Sequence, residues 1–472
     1  MIAAILTYAC DSHNAAIISD PPPEGATPVA PHLALPGDLV ISDIQIVDLG
    51  TLPGGTNSSA NDINDAGDIV GSSETMSGQT HGFILIGSVK TDLGTLPGGD
   101  QSVANGINSL RQVVGSAHNS AGVFHGFMWQ SGVLRDLGAY PPEDNIGSQS
   151  FANAINDAGL IAGSVDLAGV VWNLAGTPNF PPFPPAVRVT DPGPFHPART
   201  SAINNAGQAV GKHLSLASGF RWQSGTLTLL PTIGPLDDWA MGINELGEVV
   251  GRALLGPPLR YHAVKWPNLT TVLDIGTLGG TNSEAHDIND DGLVVGFSQT
   301  QSADTVAFVW RADVGMQALG TLGGPYSTAS AINASGQIVG TSRTSSGALH
   351  AALWTIKFAT AIAIDVKPDG VPNSVNPRSH GVIPVAILTT DDLDATTVNP
   401  ASVRFGPNNA TEAHGRAHIE DVNGDGRPDM VLHFRTEETG IQCGDAQVKL
   451  KAETFGGDAV LGTDSIRTVG CK

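Results

Sequence analysis

Short apolar runs separated by turns rich in Gly, Asn and Asp fill the middle of the chain. Residues 60–63 lead into a tight turn at 64–67, and the apolar run 69–72 then returns antiparallel. Residues 81–85 and 90–94 supply two further alternating segments of the same length. This pattern predicts a unit of four short β-strands joined by tight turns.

The four-strand unit recurs along the chain. Its Ile-Asn anchor returns at intervals of 44, 48, 48, 40, 45 and 44 residues. A period of about 45 residues that holds four strands is typical of a β-propeller blade. The seven anchors are Ile63, Ile107, Ile155, Ile203, Ile243, Ile288 and Ile332.

The two ends of the repeat region complement each other. An extra strand-like segment, 44–50, precedes the first unit, whereas nothing similar follows Trp354, so the last unit is one strand short. Pairing the two would close a ring and remove exposed sheet edges, whereas a solenoid would need distinct capping repeats. We therefore predict an all-β chain with a seven-bladed β-propeller over 41–356.

The recurring motifs resemble those of a known family. Asp-Leu-Gly-Thr-Leu-x-Gly-Gly begins at Asp48 and at Asp92, and it combines with Ala-x-x-Ile-Asn-x-x-Gly and His-Gly/Ala-Phe. This combination resembles the HAF family of bacterial extracellular repeats over about 44–356. Between the third and fourth units Asp-Leu-Gly is lost, and the Pro-rich stretch 178–197 replaces it. The resemblance implies an exported repeat protein and brings no catalytic residue.

Charge and hydropathy exclude two classes of partner. The chain has 23 Lys and Arg against 45 Asp and Glu, a net charge of −22, and no segment concentrates its basic residues. Binding to nucleic acid phosphates needs such a concentration. No run approaches the roughly 18 apolar residues of a membrane-spanning helix. We expect neither a nucleic acid partner nor a transmembrane segment.

The three cysteines bear on location. None lies in a C-x-x-C pair, which excludes zinc ribbons and thioredoxin-like redox chemistry. Cys443 and Cys471 lie 28 residues apart, and we expect a disulfide between them in an oxidising compartment; the alternative is two reduced thiols. The apolar start ending in Cys10 favours the remnant of a secretory signal, with lipid attachment at Cys10 as the alternative. The Pro-rich remainder of 1–40 is expected to be a tether.

Four of the seven units carry a His at the same place. Equivalent positions of a propeller lie tens of ångströms apart, too far to share one ion through bonds of about 2 Å. We therefore expect each His to stabilise its own blade through a side-chain hydrogen bond. The four residues are His81, His125, His262 and His350.

Other recurring residues also have structural explanations. The Asn and Asp residues of the turns are expected to bond turn backbone groups rather than calcium. The Trp that closes the third strand in six units is expected to pack between blades. Trp239 lies outside this pattern, and the hypothesis for it is an exposed stacking platform for a sugar. The six recurring residues are Trp129, Trp172, Trp222, Trp266, Trp310 and Trp354.

No enzyme motif stands out. The chain lacks G-x-S-x-G, H-E-x-x-H and a Walker A loop. The adjacent acids Asp237 and Asp238 have the chemistry of a glycosidase pair, but carboxylates are abundant in so acidic a chain. The sequence therefore does not predict an enzyme.

After Trp354 the repeat stops and a second domain begins. Alternating apolar segments separated by turns over 361–472 predict a small β-sandwich. The stretch 364–471 looks like a C-terminal module common in exported bacterial proteins, most clearly in 381–388 and 465–472. The predicted strands lie at 361–366, 382–388, 403–405, 430–434 and 448–450.

The second domain contains a calcium-type loop. Oxygen side chains stand at loop positions 1, 3, 5 and 9, and Gly426 stands at position 6, where a sharp turn is needed. Leu432 occupies position 12, where an EF-hand has Glu, so nearby Glu420 is a candidate replacement. The loop resembles the strand-flanked calcium loops of integrin-like and dockerin-like repeats. We expect a structural Ca²⁺, with a simple Asx-turn hairpin as the alternative. The predicted ligands are Asp421, Asn423, Asp425, Asp429 and the carbonyl of Arg427.

Together these features predict a secreted or cell-surface protein that acts as a non-catalytic binding module. Its expected partner is an extracellular polysaccharide or a surface protein, and the expected state is a monomer. The irregular insert 173–197 is a candidate docking segment, since loops carry function on such scaffolds. The alternative is a polysaccharide-active lyase or hydrolase that uses the funnel of the propeller. An acid-lined funnel would favour catalysis, and one narrowed by Gly would favour a scaffold.

Overall fold

The structure is a computed structural model that describes residues 39–138, 149–174, 186–188, 198–235, 237–368 and 370–471. In these ranges nearly all regular structure is β-strand, apart from two 3₁₀ turns (Ala395–Thr397, Pro400–Ser402) and one helical turn, α1 (Thr436–Thr439). The all-β prediction is confirmed. The described residues divide into two compact units, 39–360 with 457–461, and 361–456 with 462–471.

Some predictions fall outside these ranges. Cys10 and the tether up to residue 38 lie outside the described residues. The same holds for most of the insert 173–197, of which only Asn173, Leu174 and a short strand are described.

Each of the first five repeats forms an antiparallel four-stranded sheet with its strands in chain order. The sixth has the same antiparallel order, and a parallel pair, Thr305 with Tyr326, joins it to the seventh. A strand from the chain start, β1 (Leu39–Gly50), precedes them. The first three sheets comprise β2 (Ser58–Ile63), β3 (Ile69–Glu74), β4 (Thr80–Ile86) and β5 (Val89–Gly94); β6 (Ser102–Ile107), β7 (Val113–His118), β8 (Phe124–Gln130) and β9 (Val133–Asp136); and β10 (Ser150–Ile155), β11 (Leu160–Val165), β12 (Ala168–Asn173) and β13 (Ala186–Arg188).

The remaining repeats follow the same plan, except that the last supplies only three strands. They comprise β14 (Ala198–Ile203), β15 (Ala209–His213), β16 (Ser218–Gln223) and β17 (Thr226–Leu229); β18 (Trp239–Ile243), β19 (Val249–Leu255), β20 (Arg260–Asn268) and β21 (Thr271–Gly276); β22 (Gly279–Ile288), β23 (Val294–Thr300), β24 (Thr305–Arg311) and β25 (Gly315–Ala318); and β26 (Gly323–Ile332), β27 (Gln337–Thr344) and β28 (Leu349–Ile362).

The missing strand of the last sheet comes from the chain start. β1 pairs antiparallel with β28 from Leu39 opposite Thr360 to Gly50 opposite Ala351. The predicted pairing of the first strand with the last repeat is therefore confirmed. Without this pairing the outer edge of β28 would expose unpaired backbone groups.

A buried Asn in each repeat makes two kinds of hydrogen bond. Its Oδ1 accepts the N–H of the residue four positions later, at 2.8–3.1 Å, which closes the turn as predicted. Its Nδ2 donates to the backbone carbonyl of the equivalent Asn in the next repeat, at 2.9–3.2 Å. The series returns to its beginning, because Asn333 donates to the carbonyl of Asn64 at 3.1 Å. The seven residues are Asn64, Asn108, Asn156, Asn204, Asn244, Asn289 and Asn333.

The recurring His residues stabilise individual sheets. Nδ1 of His81 lies 2.8 Å from the Asp92 carboxylate, which also accepts the N–H of Gly94 at 2.7 Å. The prediction that these residues make a hydrogen bond within each blade is confirmed. The equivalent pairs are His125–Asp136, His262–Asp274 and His350–Asp48.

Large side chains fill the space between neighbouring sheets. Trp172 is 1% exposed and packs with Val114 and Met128 of the preceding sheet. Trp266 packs likewise with Val210 of the preceding sheet. The prediction of inter-blade Trp packing is confirmed at these positions, and each sheet buries its apolar face against the next.

The second unit consists of short strands. β29, β31, β34 and β33 form one antiparallel sheet in that order, β32 pairs with β35, and β30 pairs with β37. Phe405 of β32 stacks on Phe434 of β34 with ring centroids 4.8 Å apart, so the first two of these groups face each other. The strands are β29 (Ile364–Val366), β30 (Ser374–Val375), β31 (Val382–Ile387), β32 (Arg404–Phe405), β33 (His418–Glu420), β34 (Asp429–Arg435), β35 (Gln447–Glu453), β36 (Ala459–Ser465) and β37 (Arg467–Thr468).

A disulfide joins Cys443 to Cys471, with their Cα atoms 5.7 Å apart. It links the segment between α1 and β35 to the residues that follow β37. The cross-link therefore ties these two segments of the second unit together.

Candidate functional site

In each repeat two facing positions carry side chains that differ from one repeat to the next. The pair consists of the residue before the constant Ala or Thr of the first strand and the residue after the constant Gly of the second strand. These two residues lie directly opposite each other, so their side chains project from the same face of the sheet. We call them the variable pairs. They are Ser59–Ser72, Val103–Ser116, Phe151–Ser164, Arg199–Lys212, Trp239–Arg252, Glu284–Phe297 and Thr328–Thr341.

The variable pairs differ in character around the structure. The first and last repeats carry only small hydroxyl side chains, whereas repeats three to six carry the aromatic and charged ones. Four side chains of the variable pairs line a cavity of about 610 Å³, which we call the Trp239 cavity. They are Phe151, Ser164, Arg199 and Trp239. The wall of this cavity is formed by Gln149, Phe151, Asn153, Ser164, Asp166, Leu167, Arg199, Thr200, Ser201 and Trp239.

Trp239 is half-buried in this wall rather than exposed, unlike the sequence hypothesis for it. Its indole Nε1 donates to Oγ of Ser201 at 2.9 Å. Nζ of Lys212 and the guanidinium of Arg252 lie 5.6 and 5.5 Å from its ring centroid, within cation–π range. The ring is therefore held in a defined orientation at the edge of the cavity.

A network of charged residues lies beside Trp239. Asp237 accepts hydrogen bonds from Lys212 and from the Tyr261 hydroxyl. Arg252 stacks over Tyr261 at 4.5 Å and donates to Glu284 at 2.6 Å. Burial alone would raise the pKa of Asp237, but the hydrogen bonds from Lys212 and Tyr261 outweigh it and hold that pKa below its ordinary value.

The neighbouring carboxyl behaves in the opposite way. Asp238 is 1% exposed, and burial raises its pKa to about 6. The two adjacent acids therefore differ in environment.

The first strands of neighbouring repeats approach each other closely at the residues that precede the Ile-Asn anchors, and we call these the inner positions. A Cβ on Gly242 would lie 2.8 Å from Cα of Asp287 in the next repeat, and one on Gly106 would lie 3.0 Å from Cα of Ala154. Contacts this short leave room only for small residues at most of these positions. The residues that precede the Ile-Asn anchors are Asp62, Gly106, Ala154, Ala202, Gly242, Asp287 and Ala331.

Two of these inner positions are acidic. Asp62 accepts the N–H of Ile107 and of Ile63, each at 2.8 Å, and Asp287 accepts the N–H of Ile332 at 2.9 Å. Burial raises the pKa of Asp62 to about 7, with a further contribution from the charge of Asp287, and burial raises the pKa of Asp287 to about 6. The inner positions thus combine small residues with two acids that are easily protonated.

The predicted calcium loop is closed by hydrogen bonds of its own. The Asp421 carboxylate accepts the N–H groups of Gly424, Asp425 and Gly426 at 2.8–3.1 Å. Oδ1 of Asn423 accepts the N–H of Asp425 at 3.0 Å. These are the contacts of an Asx-type turn. The side chains of Asp421, Asn423 and Asp425 remain exposed.

The end of the loop is anchored in the second unit. Asp429 is fully buried and accepts the N–H groups of Thr389 at 2.8 Å and Val422 at 3.1 Å. The guanidinium of Arg427 pairs with Asp391 at 2.7 Å. The group of Arg427 that is predicted to be a ligand is its backbone carbonyl, which takes no part in this ion pair. Glu420, the candidate additional ligand, lies opposite Asp429 on the neighbouring strand and is exposed.

Two groups of residues were missed at the sequence level. The charged residues near Trp239 could have been found by aligning the repeats on the constant Ala and Gly and marking the positions that vary. The second group, Glu412, His414 and His433, brings ligand atoms to within 4.8 Å of one another. Its members come from a loop and a strand, so no spacing motif reveals it.

Comparison with known proteins concerns the fold alone. No protein-family model matches the chain, and no curated protein matches it significantly. Virginiamycin B lyase from Staphylococcus aureus is similar at 10% identity, over 68% of this chain and 100% of that one, with a TM-score of 0.43. The gluconolactonase XC5397 from Xanthomonas campestris is similar at 14% identity, over 70% and 99%, with a TM-score of 0.33. The β-propeller domain of the trilobed protease from Pyrococcus furiosus is similar at 7% identity, over 65% and 96%, with a TM-score of 0.39.

These identities and TM-scores are too low to bear on activity.

No helix in the described ranges is both long and apolar enough to cross a bilayer.

Proposed function

We propose that this chain is an exported or cell-surface protein of the HAF type that binds an extracellular polysaccharide without catalysing a reaction. The observation that carries the proposal is the distribution of the variable pairs. The repeat framework is constant, whereas aromatic and charged side chains are concentrated on repeats three to six and around the Trp239 cavity. In a repeat scaffold, positions that vary on one face are those available for recognition.

The proposed scaffold is a seven-bladed propeller closed by the chain start. The Asn333–Asn64 hydrogen bond, the β1–β28 pairing and the His350–Asp48 contact support this closure. For the second unit we propose a β-sandwich, supported by the stacking of Phe405 on Phe434. The disulfide favours an oxidising compartment and therefore export.

We also propose that the loop Asp421–Asp429 takes up a structural Ca²⁺. Three closely spaced, exposed oxygen side chains on one short loop support this, those of Asp421, Asn423 and Asp425. In this structure their oxygens accept hydrogen bonds from within the loop. Oxygen ligands of this kind suit a hard cation. The buried Asp429 fixes the end of the loop through its hydrogen bonds to Thr389 and Val422.

The wall of the Trp239 cavity suits a saccharide. Amide and hydroxyl groups from Gln149, Asn153 and Ser164 can bond sugar hydroxyls, and the rings of Phe151 and Trp239 offer apolar surface. Arg199 lines the cavity together with Asp166, and none of the ion pairs found within the described ranges includes Arg199. A free guanidinium at this place favours a polymer that carries carboxylates, such as a uronate.

The test is binding of the full chain to neutral and uronate-containing polysaccharides, with and without Ca²⁺. Depletion of protein and release of new reducing or unsaturated ends are measured together. We expect depletion without products, weakened by Trp239→Ala and not by the control Phe455→Ala, which removes an exposed ring of the second unit. If no polysaccharide binds, or if Trp239→Ala binds as well as the wild type, the proposal fails. A surface protein would then be the ligand to seek.

The second candidate function is a polysaccharide lyase or hydrolase. It is favoured by the opposite pKa shifts of Asp237 and Asp238, since acid–base pairs show such a separation. Against it, Asp237 is already bonded to Lys212 and Tyr261, and Asp238 is buried. New chain ends in the assay above, lost in Asp238→Asn, would establish this function instead.

A further inference from the structure

Three metal-ligand side chains meet on one face of the sheet that contains β34. His433 alternates along β34 with Leu432 and Phe434, both fully buried, so its side chain projects from the opposite face of the sheet. Glu412 and His414 belong to the loop that precedes β33, and Ala413 bonds the carbonyl of His433 at 2.7 Å. That hydrogen bond fixes the loop against β34. The ligand atoms of Glu412, His414 and His433 lie within 4.8 Å of one another.

The Glu412 carboxylate is buried without a strong cation. Its side chain is 6% exposed. It accepts the N–H groups of His414 at 2.6 Å, Arg416 at 3.1 Å and His433 at 3.3 Å. Within the part of the chain that the structure describes, no Lys or Arg pairs with it, and its one ionic neighbour is His414 at 3.6 Å. The carboxylate is thus held in a fixed position by N–H groups, with no Lys or Arg of the described residues beside it.

His433 has a nitrogen atom that the protein does not use. Its Nδ1 is buried and has no hydrogen-bond partner. The rings of His414 and His418 lie 5.1 and 5.9 Å from its ring. A buried polar atom without a partner calls for an explanation in a folded protein. A bound cation that takes the lone pair of this nitrogen would supply one.

We propose that Glu412, His414 and His433 bind one divalent transition-metal ion of the zinc class. Two imidazole nitrogens and one carboxylate oxygen are a ligand set that Zn²⁺ uses, with water at the remaining position. Ca²⁺ prefers oxygen ligands, so this site is distinct from the loop Asp421–Asp429. The proposal does not depend on the identity of the saccharide or on the first unit.

The geometry requires only a small adjustment. Ligand atoms around a tetrahedral ion with bonds of about 2.1 Å lie about 3.4 Å apart, compared with up to 4.8 Å here. The side chain of His414 is 49% exposed and stands on a loop, so it is free to rotate inward. Glu412 and His433 are the fixed part of the site, and His414 is the part that closes it.

The test uses the full chain stripped with EDTA and titrated with Zn²⁺ by calorimetry, and with Co²⁺ by visible absorption. We expect one site, with affinity reduced more than about tenfold in His414→Ala, because even loss of an outer-shell partner costs about 10–100-fold. His433→Gln should behave in the same way. His380→Ala, which removes an exposed His of the same unit, is the control and should bind as the wild type does. His414 is on the surface, so its loss should not prevent folding.

Two results would overturn the proposal. One is a wild type that takes up no Zn²⁺, or that loses no affinity in His414→Ala, since binding would then lie elsewhere. The other is displacement of the ion by millimolar Ca²⁺, which would indicate an oxygen site.

Discussion

Nδ1 of His350 lies 2.8 Å from the carboxylate of Asp48, although the two residues are 302 positions apart. In the first repeat the same contact joins His81 and Asp92, which are 11 positions apart. Asp48 also accepts the N–H of Gly50 at 2.7 Å. The chain start therefore takes the place in the last sheet that the fourth strand takes in an ordinary repeat.

Removing Asp48 should loosen β1 more than it destabilises the whole protein. In Asp48→Ala we expect the free energy of unfolding to fall by about 1 kcal/mol or less, because the His350–Asp48 pair is partly exposed. Faster hydrogen exchange should be confined to residues 39–50 and the facing part of β28. Asp92→Ala, which breaks the same contact within one repeat, is the control and should leave exchange at 39–50 unchanged. Equal protection of β1 in both variants would contradict this closure.

The buried amide of Asn333 should contribute more than the His–Asp pair. It bonds the N–H of Gln337 and the carbonyl of Asn64. In Asn333→Ala the N–H of Gln337 would lose this partner, whereas the Asn64 carbonyl would keep the N–H of Gly67 at 3.0 Å. We expect a loss of folding stability of about 1–3 kcal/mol for the buried N–H left without a partner. Chemical denaturation measures it, and Asn268→Ala, in an exposed turn, is the control. A change as small as that of the control would mean that the Asn bonds do not hold the repeats together.

Asp62 should make the protein more stable in mild acid than in mild alkali. Its pKa is raised from 3.8 to about 7, so between these values the folded state keeps a proton that the unfolded state has lost. This contribution is fully present below pH 4 and is lost as the pH rises through 7. From pH 5 to pH 8 the free energy of unfolding of the wild type should fall by roughly 2–3 kcal/mol relative to that of Asp62→Asn.

Melting curves of both proteins at the two pH values measure this difference, and Asp65→Asn, at the adjacent exposed turn, is the control. Asp287, whose pKa is also raised, titrates in both proteins, and because its charge acts on Asp62 the difference between the two proteins includes this coupling. Parallel pH profiles for the wild type and Asp62→Asn would show that Asp62 is already ionised in the folded state.

The calcium proposal predicts a change in melting temperature. In millimolar Ca²⁺ the transition of the second unit should rise, because an ion that binds only the folded loop stabilises it by mass action. Asp425→Ala should abolish the rise, whereas Asp392→Ala, another exposed acid of the same unit, should retain it. If the wild type shows no rise, the loop is only an Asx-type turn.

Much of the scaffold could be predicted because it is local and repeated. The turn bonds of Asn64 span four residues, and the His81–Asp92 contact lies within one repeat, so each leaves a pattern that recurs along the chain. Five strands of the second unit were also anticipated, because alternation of apolar residues marks a half-buried strand. These are β29, β31, β32, β34 and β35, whereas β30, β33, β36 and β37 were not predicted. The chance that such patterns arise independently in several repeats is small.

The variable pairs were not predicted in the same way. Phe151, Arg199 and Glu284 occupy positions where the repeats differ, so only an alignment of the repeats, which marks the varying positions, would single them out. Trp239 was noticed only because it lies outside the Trp pattern, and its half-buried setting between Lys212 and Arg252 depends on neighbours from two repeats. Residues that recur in every repeat belong to the framework, and residues that differ between repeats form the variable pairs.

By itself the sequence determined the all-β character, the period of the repeat, the four-strand pattern of a repeat and the residues that close the turns. These follow from hydrogen bonds and apolar burial between residues close in the chain. Only the tertiary structure decided that Asp48 meets His350, that Arg252 bonds Glu284 and that His433 lies beside Glu412. Each of these contacts joins residues from separate strands or loops, and such contacts depend on how whole sheets pack, which no local pattern of residues encodes.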